Sequence, residues 1–241
     1  MKRFLSIDWD FFIDATADQR ILMFPDGGNE NLPTSIRDYI WDTHYRHPEL
    51  QDIEVTPDYK HLLHICKTFR GEAFVADSHR WAFNFIMDNT EPDEEFEVYN
   101  IDFHHDLYNF TTRDGEVNCG NWATMLQKYR PKMKYKWVKC DTSDVMSGEE
   151  KVNVEMMTMT IFRMLFRDVS EEFQYLFMCR SAVWSPPHLD KKFVRAVKAI
   201  KCRSDIECGI TRPRPYEIHT EQDEFKAFAD LVKASRKDSE Y

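Results

Sequence analysis

The chain has 241 residues, 42% of them hydrophobic and 14% aromatic, which supplies a real core and excludes intrinsic disorder. With 32 basic against 42 acidic residues the formal charge is −10, which argues against wrapping a nucleic-acid backbone and favours a cationic substrate or metal ions. No apolar run approaches the ~18 residues of a membrane span, and the seven glycines form no phosphate-binding or serine-hydrolase fingerprint.

The N-terminal stretch MKRFLSIDWDFF sets acidic residues where a secretion signal needs apolar ones, and the six cysteines form no C-x-x-C pair. A cytoplasmic protein with reduced thiols is the expectation. In chain order, apolar runs predict strands at Arg3–Ile7, Ala73–Ala76, Glu97–Ile101, Tyr135–Lys139 and Gln174–Cys179. Helical spacing predicts helices at Asp58–Phe69, Leu189–Ile200 and Gln222–Ala234, with the Met-rich Met156–Phe166 read as a further helix packing into the core. Alternation of this kind predicts an α/β fold, three layers α/β/α around a mainly parallel sheet, as one domain spanning residues 1–241. Loops are expected at Pro25–Pro33, Thr112–Gly120, Asp141–Glu150 and Thr211–Pro215, the first two long enough to cover a site.

Three acidic or imidazole-bearing motifs sit where predicted strands stop. Asp102-Phe103-His104-His105-Asp106 follows Glu97–Ile101, Ser6-Ile7-Asp8-Trp9-Asp10 closes Arg3–Ile7, and Asp77-Ser78-His79 follows Ala73–Ala76. Ligands of open α/β sheets bind beyond the carboxyl ends of strands, where Asp8, Asp10, His79, Asp102, His104 and Asp106 can meet. An extended Asp102–Asp106 would span about 13 Å, so this segment has to curl to present one point. His105 falls on the opposite face. Four carboxylates without a countercharge repel and raise one another's pKa, and one or two divalent ions remove the conflict. An oxygen-rich set with two imidazoles suits Mn²⁺ better than a thiolate-built zinc site.

D-x-H-x-D and S-x-D-x-D resemble the two metal signatures of the arginase–deacetylase superfamily, with the His of Asp77-Ser78-His79 similar to its further ligand. Cys119-Gly120-Asn121 resembles the S-G-N segment with which arginases hold the amino-acid part of the substrate, which implies substrate binding by Asn121. The family most resembled is the ureohydrolase-like one containing the peptide arginases. It implies two Mn²⁺ ions, one held by Asp8, His79, Asp102 and Asp106, the other by Asp8, Asp10, Asp102 and His104. The implied reaction converts arginine residues of a ribosomally made precursor peptide to ornithine and urea, with Asp106 moving the proton. S-x-D-x-D comes first here and last in arginases, which implies a permuted motif order. Trp122 stands where arginases follow S-G-N with a His-bearing segment, so the proton shuttle is sought in His188 of Trp184-Ser185-Pro186-Pro187-His188.

Other readings stay open: a deacetylase of acyl-lysine or acyl-polyamine, a ureohydrolase of free arginine, or a catalytically silent peptide-binding module. The basic run Lys128–Lys139 reads as a helix end and an exposed strand edge, with nucleic-acid binding or docking of an acidic leader peptide as alternatives. No membrane partner is expected, and nothing in the sequence sets an oligomeric state.

Overall fold

The computed structural model describes residues 1–23, 34–108, 116–143 and 154–217. The strands are β1 (Lys2–Asp8), β2 (Ile13–Asp14), β3 (Glu54–Val55), β4 (Glu72–Ala76), β5 (Phe96–Ile101), β6 (Met133–Lys139), β7 (Val154–Thr158), β8 (Tyr175–Cys179) and β9 (Ser204–Ile206). The helices are α1 (Ala17–Met23), α2 (Thr34–His44), α3 (Pro48–Gln51), α4 (Tyr59–Thr68), α5 (Trp81–Asp88), α6 (Trp122–Tyr129), α7 (Met159–Leu165), α8 (Val169–Glu172) and α9 (Asp190–Val197).

Seven strands form one sheet in the order β7-β6-β5-β1-β8-β4-β9, and every pairing in it is parallel. β2 and β3 form a separate antiparallel ribbon. Strand side chains alternate between the faces. Leu5, Ile7, Val75 and Met178 enter a core with Leu62 of α4, Phe162 of α7 and Phe193 of α9. Phe4, Val98, Tyr135 and Phe177 enter a second core with Phe85 of α5 and Trp122 and Leu126 of α6. Helices thus cover both faces, the α/β/α layering expected of a buried parallel sheet. No helix among the described residues is long and apolar enough to cross a membrane.

Two expectations need correction. Met156–Phe166 is not one helix: Val154–Thr158 is the edge strand β7, and the Thr158 hydroxyl caps α7 by accepting from Ile161 N–H. Met157 and Met159 are buried, but Met156 and Met164 are 54% and 66% exposed, so only part of the segment belongs to the core. The basic run does not form a sheet edge either, because β6 lies between β5 and β7. Tyr135 and Trp137 within it are buried and cannot stack on bases. Gln222–Ala234 and Pro25–Pro33 lie outside the described residues, as do parts of Thr112–Gly120 and Asp141–Glu150.

Candidate metal centre

β1, the middle strand, is flanked by β5 and β8, with β4 beyond β8. The predicted ligands lie at and beyond the carboxyl ends of three of these strands, β1, β4 and β5. β5 stops at Ile101, and the chain bends so that Asp106 reaches φ 53°, a left-handed conformation that Asp tolerates better than most residues. This bend supplies the curl that an extended strand lacks. Two buried aromatic side chains hold its backbone: Trp137 Nε1–H donates to the Asp102 carbonyl (2.9 Å) and Tyr135 O–H to the His105 carbonyl (3.0 Å). His105 faces away, packing on Tyr108 with ring centroids 4.2 Å apart and accepting from Leu107 N–H.

Three groups of donor atoms converge, each within 4.8 Å: Asp8 with His79 and Cys179, His79 with Asp102 and Asp106, and Asp10 with Asp102 and His104. His79 Nδ1 lies 3.1 Å from a carboxylate oxygen of each of Asp8, Asp102 and Asp106. One imidazole N–H cannot donate in line to three acceptors. Neighbouring oxygen and nitrogen ligands about 2.1 Å from an octahedral ion stand about 3.0 Å apart, the spacing found here.

Charge leads to the same place. Four carboxylates and two imidazoles leave the cluster at −2 even with both imidazoles protonated. Burial and the charges of Asp106, Asp8 and Asp10 push Asp102 well above the usual carboxylate range. Asp10 is also raised, by burial and by Asp8, against the pull of His104. Burial alone would raise Asp8, but His79 and the Ser181 hydroxyl hold it below the usual range. Burial lowers the affinity of His79 and His104 for a proton, yet Cys179 and Asp106 around His79 and Asp10 beside His104 raise both rings overall. The clearest mark is Asp10: it is 0% exposed, and neither carboxylate oxygen accepts a hydrogen bond, although His104 Nδ1 lies 3.1 Å from Oδ2. A carboxylate buried in that position is stabilised in its charged form by a cation. The Asp/His cluster can hold a metal ion.

The ligands are themselves held. His79 Nε2 meets Ser6 Oγ at 2.7 Å, leaving Nδ1 for an ion. Asp106 Oδ2 accepts from Trp122 Nε1–H at 2.5 Å, and Asp102 accepts from Asn100 Nδ2 (3.0 Å) and His104 N–H (2.8 Å). Asp8 accepts from Asp10 N–H (3.0 Å) and Ser181 O–H (2.6 Å). Sequence reading missed Cys179, Ser181, Asn100 and Trp122. Cys179 ends an apolar strand as Asp8 does, and that placement is the signal that could have found it.

Two residues with predicted roles make structural contacts instead of joining the cluster. His188 does not join the cluster: Nδ1 bonds Tyr45 Oη (2.7 Å) and Nε2 the Ile53 carbonyl (2.8 Å), so both ring nitrogens are committed to packing the segment after β8. Asn121 is buried, its Nδ2–H donating to the Glu116 carbonyl (2.9 Å) and its Oδ1 accepting from Asn118 N–H (2.7 Å), so it shapes the turn that opens α6. Comparison with models of known families, with curated proteins and with solved structures returned no match to this chain.

Proposed function

We propose that the chain is a metal-dependent hydrolase of arginine guanidinium groups, acting on arginine residues of a precursor peptide to give ornithine and urea. One observation carries this reading: Asp102 belongs to two donor groups at once, with His79 and Asp106 on one side and Asp10 and His104 on the other. A shared carboxylate is what a pair of adjacent ions requires, and the D-x-H-x-D and S-x-D-x-D signatures supply the guanidinium chemistry by resemblance. Asp8, Asp10, His79, Asp102, His104 and Asp106 would hold two divalent ions, Mn²⁺ in the family resembled, which would supply a water acidic enough to attack at neutral pH.

The protein side of the reaction falls to few groups. Asp106 takes the proton of the attacking water at its carboxylate and returns it to the departing side-chain amine as the carbon–nitrogen bond breaks. Trp122 Nε1–H fixes that carboxylate through Oδ2. Trp184, half-buried beside His104 with ring centroids 5.2 Å apart, brings an aromatic surface to the acidic centre, an environment suited to a planar cation. All six cysteines are free thiols, in keeping with a reducing cytoplasm.

The test is mass spectrometry of an arginine-containing peptide after incubation with Mn²⁺-loaded protein, beside a urea assay on free arginine. Ornithine in the peptide alone supports the proposal. Urea from free arginine replaces it with a small-molecule ureohydrolase. Release of acyl groups from acyl-lysine or acyl-polyamine, with arginine untouched, replaces it with the deacetylase.

A further inference from the structure

Cys179 has a position unlike that of an ordinary buried thiol. Cys66, enclosed in an apolar cluster, has its thiol pushed up to about 12, chiefly by burial. Cys179 closes β8 directly beside Asp8 of β1 and beside Ala76 of β4, three residues before His79. Alternation puts Cys179 on the same face as Phe177, and the Phe177 ring stacks on the His79 imidazole, centroids 5.5 Å apart and planes within 9°. The sulfur is thereby aimed at the point that Asp8 and His79 also face. Sγ lies 3.3 Å from Asp8 Oδ2, and Sγ, that oxygen and a His79 nitrogen all fall within 4.8 Å of one another.

Hydrogen bonding alone gives no reason for sulfur here, although Sγ lies 3.3 Å from both Asp8 Oδ2 and Ser181 Oγ. Asp8 Oδ2 already receives the Ser181 hydroxyl at 2.6 Å and faces His79 Nδ1 at 3.1 Å, and a thiol is a weak donor. A second hydroxyl at position 179 would serve that purpose better. The neighbouring Asp10 carboxylate, fully buried and without a hydrogen bond, independently places cation-binding chemistry at this centre.

We propose that Cys179 is a metal ligand, so that the centre has two unlike positions: a sulfur-containing one formed by Asp8, His79 and Cys179 with the adjoining carboxylates, and an oxygen–nitrogen one formed by Asp10, Asp102 and His104. This rests on the metal-holding reading of the site and not on the reaction proposed for it. The S–H bond gives up its proton to solvent as the sulfur–metal bond forms. Thiolate biases its position towards Zn²⁺, Co²⁺ or Fe²⁺, whereas the all-oxygen-and-nitrogen position accepts Mn²⁺.

The test uses Co²⁺ on the full chain. Protein loaded with one equivalent is expected to show a sulfur-to-cobalt charge-transfer band in the near ultraviolet, and Cys179→Ser is expected to lose that band while keeping its visible ligand-field bands. X-ray absorption of the wild-type protein carrying one equivalent of Zn²⁺ needs no variant and should find one sulfur neighbour at about 2.3 Å. The preference for Zn²⁺ over Mn²⁺ should fall about tenfold or more in Cys179→Ser. A bound ion with only oxygen and nitrogen neighbours overturns the proposal and leaves the metal centre standing. Failure to bind Co²⁺ or Zn²⁺ at all overturns both.

Discussion

Replacing Asp10 by Asn should make the metal-free protein more stable and the metal-treated protein less so. Asp10 is fully buried, and its oxygens accept no hydrogen bond that the substitution would break. Its carboxylate shares a 4.8 Å cluster with Asp102. Two ionised carboxylates at that separation repel by about 3.5 kcal/mol at an effective dielectric constant of 20. His104 and Arg20 offset part of this, but burial and Asp8 outweigh them, since the Asp10 pKa is raised. A net gain of about 2 kcal/mol follows for the neutral side chain, which for a chain of this size raises the melting temperature by about 4–8 °C. With metal at 100 times its dissociation constant the wild-type protein gains about 2.7 kcal/mol that the variant cannot match, and the order reverses. Scanning calorimetry of both proteins in chelator and in Mn²⁺ reads the crossing. An Asp10→Asn protein that melts lower than wild type in chelator, as an ordinary core substitution would, refutes the argument that this carboxylate is kept for a cation.

Stability of the metal-free protein should fall as pH rises. Asp102, His79 and His104 all have folded pKa values above their unfolded ones, so their contributions are complete below about 3.9 and 6.5 and disappear as pH climbs through the raised values. Urea midpoints in chelator should therefore decline between pH 6 and 9, where the two imidazoles dominate, and a flat or rising series contradicts the assignment. Trp122→Phe removes the 2.5 Å bond to Asp106 Oδ2 while keeping an aromatic ring beside His79, and should weaken metal binding about 10–100-fold in a folded protein. Arg214→Met strips Asp190, 0% exposed, of a bidentate partner and leaves it with Arg180, at a cost of about 3–5 kcal/mol read in the denaturation midpoint. His188→Gln should leave the pH profile of turnover unchanged while lowering stability; loss of one limb of that profile would restore His188 as a proton shuttle.

What the sequence revealed was local. Asp8, Asp10, His79, Asp102, His104 and Asp106 each stand within a few residues of a strand end, and strand ends show as the point where an apolar run gives way to polar residues. They fall into three overlapping groups: Asp102 is shared by two of them as the family resemblance implies, whereas Asp8 groups with His79 and Cys179 and not with Asp10 and His104. The partners of those ligands were hidden because they depend on tertiary placement: Cys179 meets Asp8 only because β8 pairs with β1, and Trp122 reaches back to Asp106 from 16 positions along the chain. Met156–Phe166 misled because a short strand and a short helix abut at Thr158, and the summed run carries both periodicities. Asn121 stood out through the resemblance of its segment to S-G-N and His188 as a substitute proton shuttle, but each side chain holds local backbone, at the Glu116 and Ile53 carbonyls respectively.

The left-handed residues of the described chain other than glycine are Asp106, with φ 53°, and Ser181, with φ 47°, and both touch the cluster. Strain confined to one centre persists only where surrounding bonds over-determine it. The bonds that do so are visible: Trp122 on Asp106, Tyr135 and Trp137 on the His105 and Asp102 carbonyls just before it, and Ser181 on Asp8. The fold thus holds four mutually repelling carboxylates in a fixed, dry arrangement and does not let them swing apart to solvent. Such an arrangement lowers the stability of the empty protein, and it also removes the reorganisation that a loose set of ligands would need on binding an ion. Relief of that repulsion is the physical reason the centre should bind divalent ions, whichever substrate it then serves.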